Sequence, residues 1–167
     1  MRVVIAEYDP EWPARFEREA EHVRAVLGTR VLELEHVGST SVPGLAAKPI
    51  IDMLLVVPDS ADEPAYVPDM LAAGYVLRHR EPNWFEHRMF KGPRDDVNLH
   101  VFSESCSEIE RMLVFRDWLR SHPRERDLYL QTKLALAQRE WPETQAYADA
   151  KTDVVREILA RASVTSG

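Results

Sequence analysis

Apolar positions along the chain switch between two periods. From Trp12, the residues Trp12, Phe16, Ala20, Val23 and Leu27 recur at the three-to-four spacing of an amphipathic helix. Asp9 is a candidate cap, Pro10 and Pro13 suit a first turn, and Gly28 is a natural stop. Residues 30–37 read as a strand through Val31, Leu32, Leu34 and Val37, and residues 1–6 as an edge strand or an arm. Residues 49–57 are almost continuously apolar, which predicts a central strand buried on both faces. Alternation puts Ile50, Asp52 and Leu54 on one face and Ile51, Met53 and Leu55 on the other. A helix is predicted over 65–73, closed by Gly74, then strands over 75–78, 84–91 and 97–102, with a turn at 92–95.

Beyond Ser103 the period is helical. One helix carries Ile109, Met112, Leu113, Phe115 and Leu119, and a second carries Leu128, Tyr129, Leu130, Leu134 and Leu136. After a break at Trp141-Pro142, a third carries Tyr147, Val154, Val155, Ile158 and Leu159. This order predicts an α+β fold, a small mixed sheet with flanking helices and a C-terminal helical segment. Residues 1–104 form the α/β core and 105–163 the helical part packed on it, as one compact unit.

Composition narrows the function. A chain of 167 residues is one domain, long enough to bury a core without disulfides. The net charge of -7 argues against a protein that coats extended nucleic acid, yet allows a local basic pocket for a small phosphorylated ligand. The single Cys106 cannot form an intramolecular disulfide. No signal peptide is read in residues 1–8 and no apolar run is long enough to span a bilayer, so the cytoplasm is the expected compartment and no membrane partner is expected. Only Lys48, Lys91, Lys133 and Lys151 are lysines, against 17 arginines. Where arginine is the default cation, a lysine marks a place suited to a compact point charge.

The candidate chemistry lies between His36 and Val57. Small residues (Gly38, Ser39, Thr40, Ser41, Pro43, Gly44) form a loop with N–H groups and hydroxyls free to hold an anion. Lys48 follows, then Asp52 alone within an apolar strand, costly to bury unless paired or holding a metal. Spacing alone leaves two readings open: a phosphate and metal site, or a turn before a core strand. An NTPase phosphate loop is excluded, because Gly38 and Gly44 are one residue too far apart and Leu45 stands where lysine belongs. No GxGxxG dinucleotide fingerprint is present.

A Gly-Ser loop followed by an acid on a central strand is similar to the signature of the nucleotidyltransferase superfamily. There the serine bonds the triphosphate, and two acids two residues apart hold Mg²⁺. Gly38-Ser39 and Asp52 match, while Leu54 occupies the second-acid position. The continuous stretch from His36 through Gly38-Ser39-Thr40-Ser41 and Lys48 to Asp52 resembles the hallmark of the GrpB family (UPF0157), also found as the C-terminal extension of some bacterial dephospho-CoA kinases. Tyr8 with Trp12, Asn98-Leu99-His100-Val101, the run from Phe115 to Arg120, Tyr129 with Lys133, and Tyr147 with Lys151 extend the match over nearly the whole chain.

The resemblance implies a nucleotidyltransferase-like fold and a nucleotide or other phosphorylated ligand. The phosphates would be held by Gly38, Ser39, Thr40, Ser41 and Lys48, with Tyr129, Lys133, Lys151, Arg116 and Arg120 from the helices. Asp52 would be the catalytic residue of a divalent-metal-dependent nucleotidyltransferase, sharing the metal with His100. An imidazole ligand favours Mn²⁺ or Zn²⁺ over Mg²⁺. Glu35, His36 and Asn98 are further candidates to complete that set. The alternative is a non-catalytic folding or docking module with a protein partner, which Leu54 favours. A metal-dependent phosphohydrolase reusing Asp52 and His100 is a third reading.

Overall fold

The computed structural model describes residues 3–94, 96–142 and 144–166. Helix α1 (Trp12–Leu27) buries the predicted stripe of Trp12, Phe16, Ala20, Val23 and Leu27. Glu11, not Asp9, is its cap residue; Asp9 Oδ1 accepts the Glu11 N–H at 2.9 Å, just ahead of the helix. Gly28 ends it at φ +58°, and a short 3-10 turn (Gly28–Arg30) delays strand β1 to Glu33–Val37. Strand β2 (Ile51–Val57) follows the loop. Another 3-10 turn (Glu63–Ala65) and the short helix α2 (Val67–Ala72) replace the longer helix predicted there. Strand β3 (Val76–Glu81) runs past its predicted end.

Strand β4 (His87–Lys91) starts later than predicted, because residues 82–86 form a turn in which Phe85 and Glu86 have positive φ. Asp95, in the predicted turn, and Met1 and Arg2, in the expected N-terminal arm, lie outside the described residues. The described part of that arm pairs Ala6 with Ala47 in an isolated bridge. Strand β5 (Val97–Ser103) completes a sheet of order β1-β2-β5-β4-β3. Only the β2–β5 pair is parallel, since the chain must cross over through α2, β3 and β4 before β5.

Helices α3 (Ser107–Ser121) and α4 (Pro123–Ala137) follow, with Pro123 opening the second helix. The predicted third helix is two: α5 (Thr144–Ala150) and α6 (Thr152–Ser166), broken at Lys151. None of the helices among the described residues is long and apolar enough to cross a membrane.

The alternation in β2 divides the core as its sequence predicts. Ile51, Met53 and Leu55 join α1 and α2 on one face, with Phe90, Leu99 and Val101. Leu54 and Val56 face the other way, with Val37, Phe102 and Ile109 of α3. A third cluster lies outside the sheet: Val42 and Leu45 of the loop pack with Leu119, Tyr129, Val154 and Ile158. The loop after β1 is thus clamped between sheet and helices.

Candidate anion-binding site

Gly38 turns the chain out of β1 at φ +74°. A Cβ there would lie 2.6 Å from Asp52 Oδ2 and 2.9 Å from Asp52 Cβ, so this close approach admits only glycine. Ser39–Ser41 then form a 3-10 turn. Thr40 and Ser41 are buried, and their hydroxyls have partners within the protein. Thr40 Oγ1 donates to Ile50 O at 3.3 Å and lies 2.9 Å from His36 Nε2; Ser41 Oγ donates to Gly38 O. Ser39 is hydrogen-bonded with Tyr129 and lines a cavity of about 200 Å³.

That cavity brings Ser39, Thr40, Lys48, Asp52, Lys133 and Lys151 together, with Asn98 and Tyr147. Three of the four lysines therefore converge on one carboxylate. The amine of Lys133 is buried, donates to Ala46 O at 2.9 Å and lies 5.1 Å from the Tyr129 ring centroid. Lys151 sits 4.7 Å from the Tyr147 ring centroid, so the predicted pair meets although the helix is broken between them. Burial lowers the pKa of all three, with repulsion from Lys151 adding to it at Lys48 and Lys133 and Asp52 opposing it throughout. Lys133 falls to about 7. At Asp52 burial pulls the pKa up, but the hydrogen bond and charge of His100, the hydrogen bond of Asn98 and the charge of Lys151 outweigh it, and the carboxyl is held low. Buried Asn98 Oδ1 and Tyr147 Oη have no hydrogen-bond partner among the described residues.

Behind Asp52 stands a chain of polar side chains. His100 Nε2 lies 3.3 Å from Asp52 Oδ1, His100 Nδ1 lies 3.1 Å from His87 Nε2, and His87 Nδ1 lies 2.7 Å from Glu81 Oε1. The outer ring nitrogens thus face the two carboxylates, and the inner pair face each other. Burial and the His100 charge hold the His87 pKa down to about 4 against the pull of Glu81.

Leu54 is fully buried in the core, Glu35 accepts from Arg116, and His36 is bonded to Thr40 and stacked 4.9 Å from Phe16. Among the described residues, no group of three or more His, Cys, Asp or Glu side chains could hold a metal ion. Beside Asp52 and His100 the cavity therefore presents three lysine amines rather than a further His, Cys, Asp or Glu ligand.

Arg116 and Arg120 do not line the cavity. Arg116 donates to Glu35 Oε2, His36 O and Asp117 Oδ1, and Arg120 donates to Ser41 O at 2.9 Å. Both hold the loop from its far side. Tyr129 does not line this cavity but lines a larger one that shares Ala148 and Lys151 with it. Sequence reasoning missed His87, because its contact with His100 depends on the non-local β4–β5 register. Asn98 was legible two residues before His100 on the same strand face.

Known proteins resemble this chain over most of its length. A UPF0157 protein of Halalkalibacterium halodurans is 62% identical over 98% of this chain and 84% of its own. A UPF0157 protein of Streptomyces coelicolor is 41% identical over 97% of this chain and 85% of its own. A dephospho-CoA kinase of Mycolicibacterium paratuberculosis is 31% identical over 92% of this chain, which spans only 44% of that relative. The crystal structure of conserved protein GrpB from Enterococcus faecalis superposes with a TM-score of 0.81 at 32% identity, over 95% of this chain and 98% of that one. The Cid1 poly(U) polymerase superposes at 0.56 and 15% identity, over 81% of this chain and 43% of that one, and so shares its fold, which is nucleotidyltransferase-like. The profile described as GrpB protein matches residues 2–161, and the chain belongs to the GrpB family.

Proposed function

We propose that the Gly38–Ser39 cavity binds the phosphate groups of a small phosphorylated ligand, a nucleotide foremost. The observation that carries this reading is the convergence of Lys48, Lys133 and Lys151 on one carboxylate in a cavity that also offers Tyr147 Oη. Three cations of depressed pKa repel one another, and a polyanion relieves that repulsion. The lysines then supply the positive charge that metal ions supply in other nucleotidyltransferases. In a nucleotidyl transfer, in which an acceptor hydroxyl attacks the α-phosphorus and pyrophosphate leaves, Asp52 would accept the hydroxyl proton while its contact with His100 orients it.

Calorimetry with tripolyphosphate in the presence of EDTA tests the reading. The wild type binds, and Lys151→Met loses about 1.5–3 kcal/mol, the worth of a hydrogen bond to a charged group. Asp52→Asn binds at least as tightly as wild type, because a repelling charge is gone. Loss of binding in Asp52→Asn, restored to wild type only by Mg²⁺ or Mn²⁺, would instead establish a metal bridge. No binding by wild type under either condition overturns the site.

A second reading, a non-catalytic docking module, is favoured by two observations. Leu54 is buried in the core where a second acid would stand, and a relative named as a dephospho-CoA kinase contains a matching segment. Binding of nucleoside triphosphates without release of pyrophosphate, with any small-molecule acceptor tried, is its expected signature.

A further inference from the structure

The larger cavity beside the anion site has a volume of about 610 Å³. Its wall includes Trp84, His87 and Phe102 together with Tyr129, Ala148 and Lys151. Ala148 and Lys151 also line the smaller cavity, so the two adjoin. The volumes divide the work. Sites for organic ligands span about 300–1,000 Å³. The lysine-lined cavity of about 200 Å³ suits phosphate groups and is too small for the organic part of the same molecule.

The turn that carries Trp84 is the second observation. Phe85 and Glu86 are consecutive non-glycine residues at φ +56° and +51°, an uncommon and strained arrangement. It is held from beneath: Glu86 O accepts from Ser60 Oγ and from Arg88 Nη1, both at 2.8 Å, and Ser60 is fully buried. The effect is to leave Trp84 at the cavity wall, 42% exposed. Its ring meets Phe85, His87 and Phe102 at steep angles of 77°, 89° and 62°, with no stacked neighbour among the described residues. An indole beside a braced turn, with its face unstacked and next to a cavity of ligand size, is a platform for a flat ring.

We propose that the larger cavity receives a planar aromatic or heterocyclic group of the phosphorylated ligand, and that it stacks on Trp84. This inference rests on the phosphate reading of the smaller cavity. One molecule spans both: the lysines take its phosphates, and the ring lies against the β3–β4 turn. Arg156 and Thr152 on α6 face the same cavity and supply polar contacts to the ring's edge.

Calorimetry of wild type, Trp84→Ala and Trp84→Phe with tripolyphosphate and the four common ribonucleoside triphosphates separates the two readings. At least one nucleotide is expected to bind wild type about tenfold or more tighter than tripolyphosphate. Trp84→Ala removes most of that margin and leaves tripolyphosphate binding unchanged, while Trp84→Phe keeps most of it. The same nucleotide quenches indole fluorescence in wild type more than in Trp84→Phe. Equal affinity of wild type for tripolyphosphate and every nucleotide overturns the ring site and leaves the phosphate site standing. A margin untouched by Trp84→Ala overturns the platform. Failure of every probe to bind overturns both.

Discussion

Lys133 concentrates the electrostatics of the site in one side chain. Its ordinary pKa of 10.5 falls to about 7, first through burial and then through repulsion by Lys151, with Asp52 only partly opposing. Between those two values the unfolded chain holds a proton that the folded chain lacks. The Lys133 contribution to stability is therefore fully present above about pH 10.5, falls as pH drops through the window, and reaches its lowest value below about pH 7. A bound phosphate favours the charged amine and reverses the shift. Lys133 is expected to take up more proton on binding of tripolyphosphate at pH 8 than at pH 6. Calorimetry in two buffers of different ionisation enthalpy reads the net uptake, and Lys133→Met lowers it at pH 8 more than at pH 6.

At the scale of elements, the loop after β1 depends on α3. Arg116 and Arg120 are four residues apart and share one helical face, as the sequence spacing requires. Spacing identifies the face but not what it meets, and the partners are the carbonyls of His36 and Ser41 with the Glu35 carboxylate. Arg116 is only 11% exposed. Arg116→Gln is expected to cost about 1–3 kcal/mol of unfolding free energy, because it removes charge-assisted hydrogen bonds to Glu35 and to the carbonyl of buried His36. Denaturant titration measures that loss. An unchanged midpoint, with phosphate binding alone weakened, would move Arg116 into the ligand site instead. The break at Lys151 is a different case. The apolar spacing from Tyr147 to Leu159 continues across it, so the sequence carries no local mark of the interruption. Likewise Trp84 and Phe85 resemble the start of a strand by composition and are instead the turn before it.

At the scale of the molecule, the parts legible from sequence were those set by local periodicity. The α1 stripe and the two-faced burial of β2 follow directly from three-to-four and two-residue spacing. The Gly38–Asp52 juxtaposition was foreshadowed by a small-residue loop ahead of a lone acid, and the structure supplies its steric reason. What sequence could not supply was pairing between distant segments: His87 with His100, Trp84 with Phe102, and the loop with α4 and α6. Leu45 belongs to that last group and is fully buried. Leu45→Ala is expected to cost about 2–5 kcal/mol of stability and to weaken tripolyphosphate binding in the same variant. Thermal unfolding and calorimetry on one sample check both, and a stability loss with intact binding would separate loop from site.

The burial of Val42 and Leu45 against Leu119, Tyr129, Val154 and Ile158 has a consequence for how the site moves. Glycine- and serine-rich loops usually fluctuate independently of the domain that bears them. Here the backbone amides of the loop cannot open to solvent without lifting the helical layer off the sheet. Hydrogen exchange at Ser41, Val42 and Leu45 should therefore follow the slow, cooperative opening of that layer. The loop reaches its working shape during folding, and a ligand that enters it needs little further ordering of the chain.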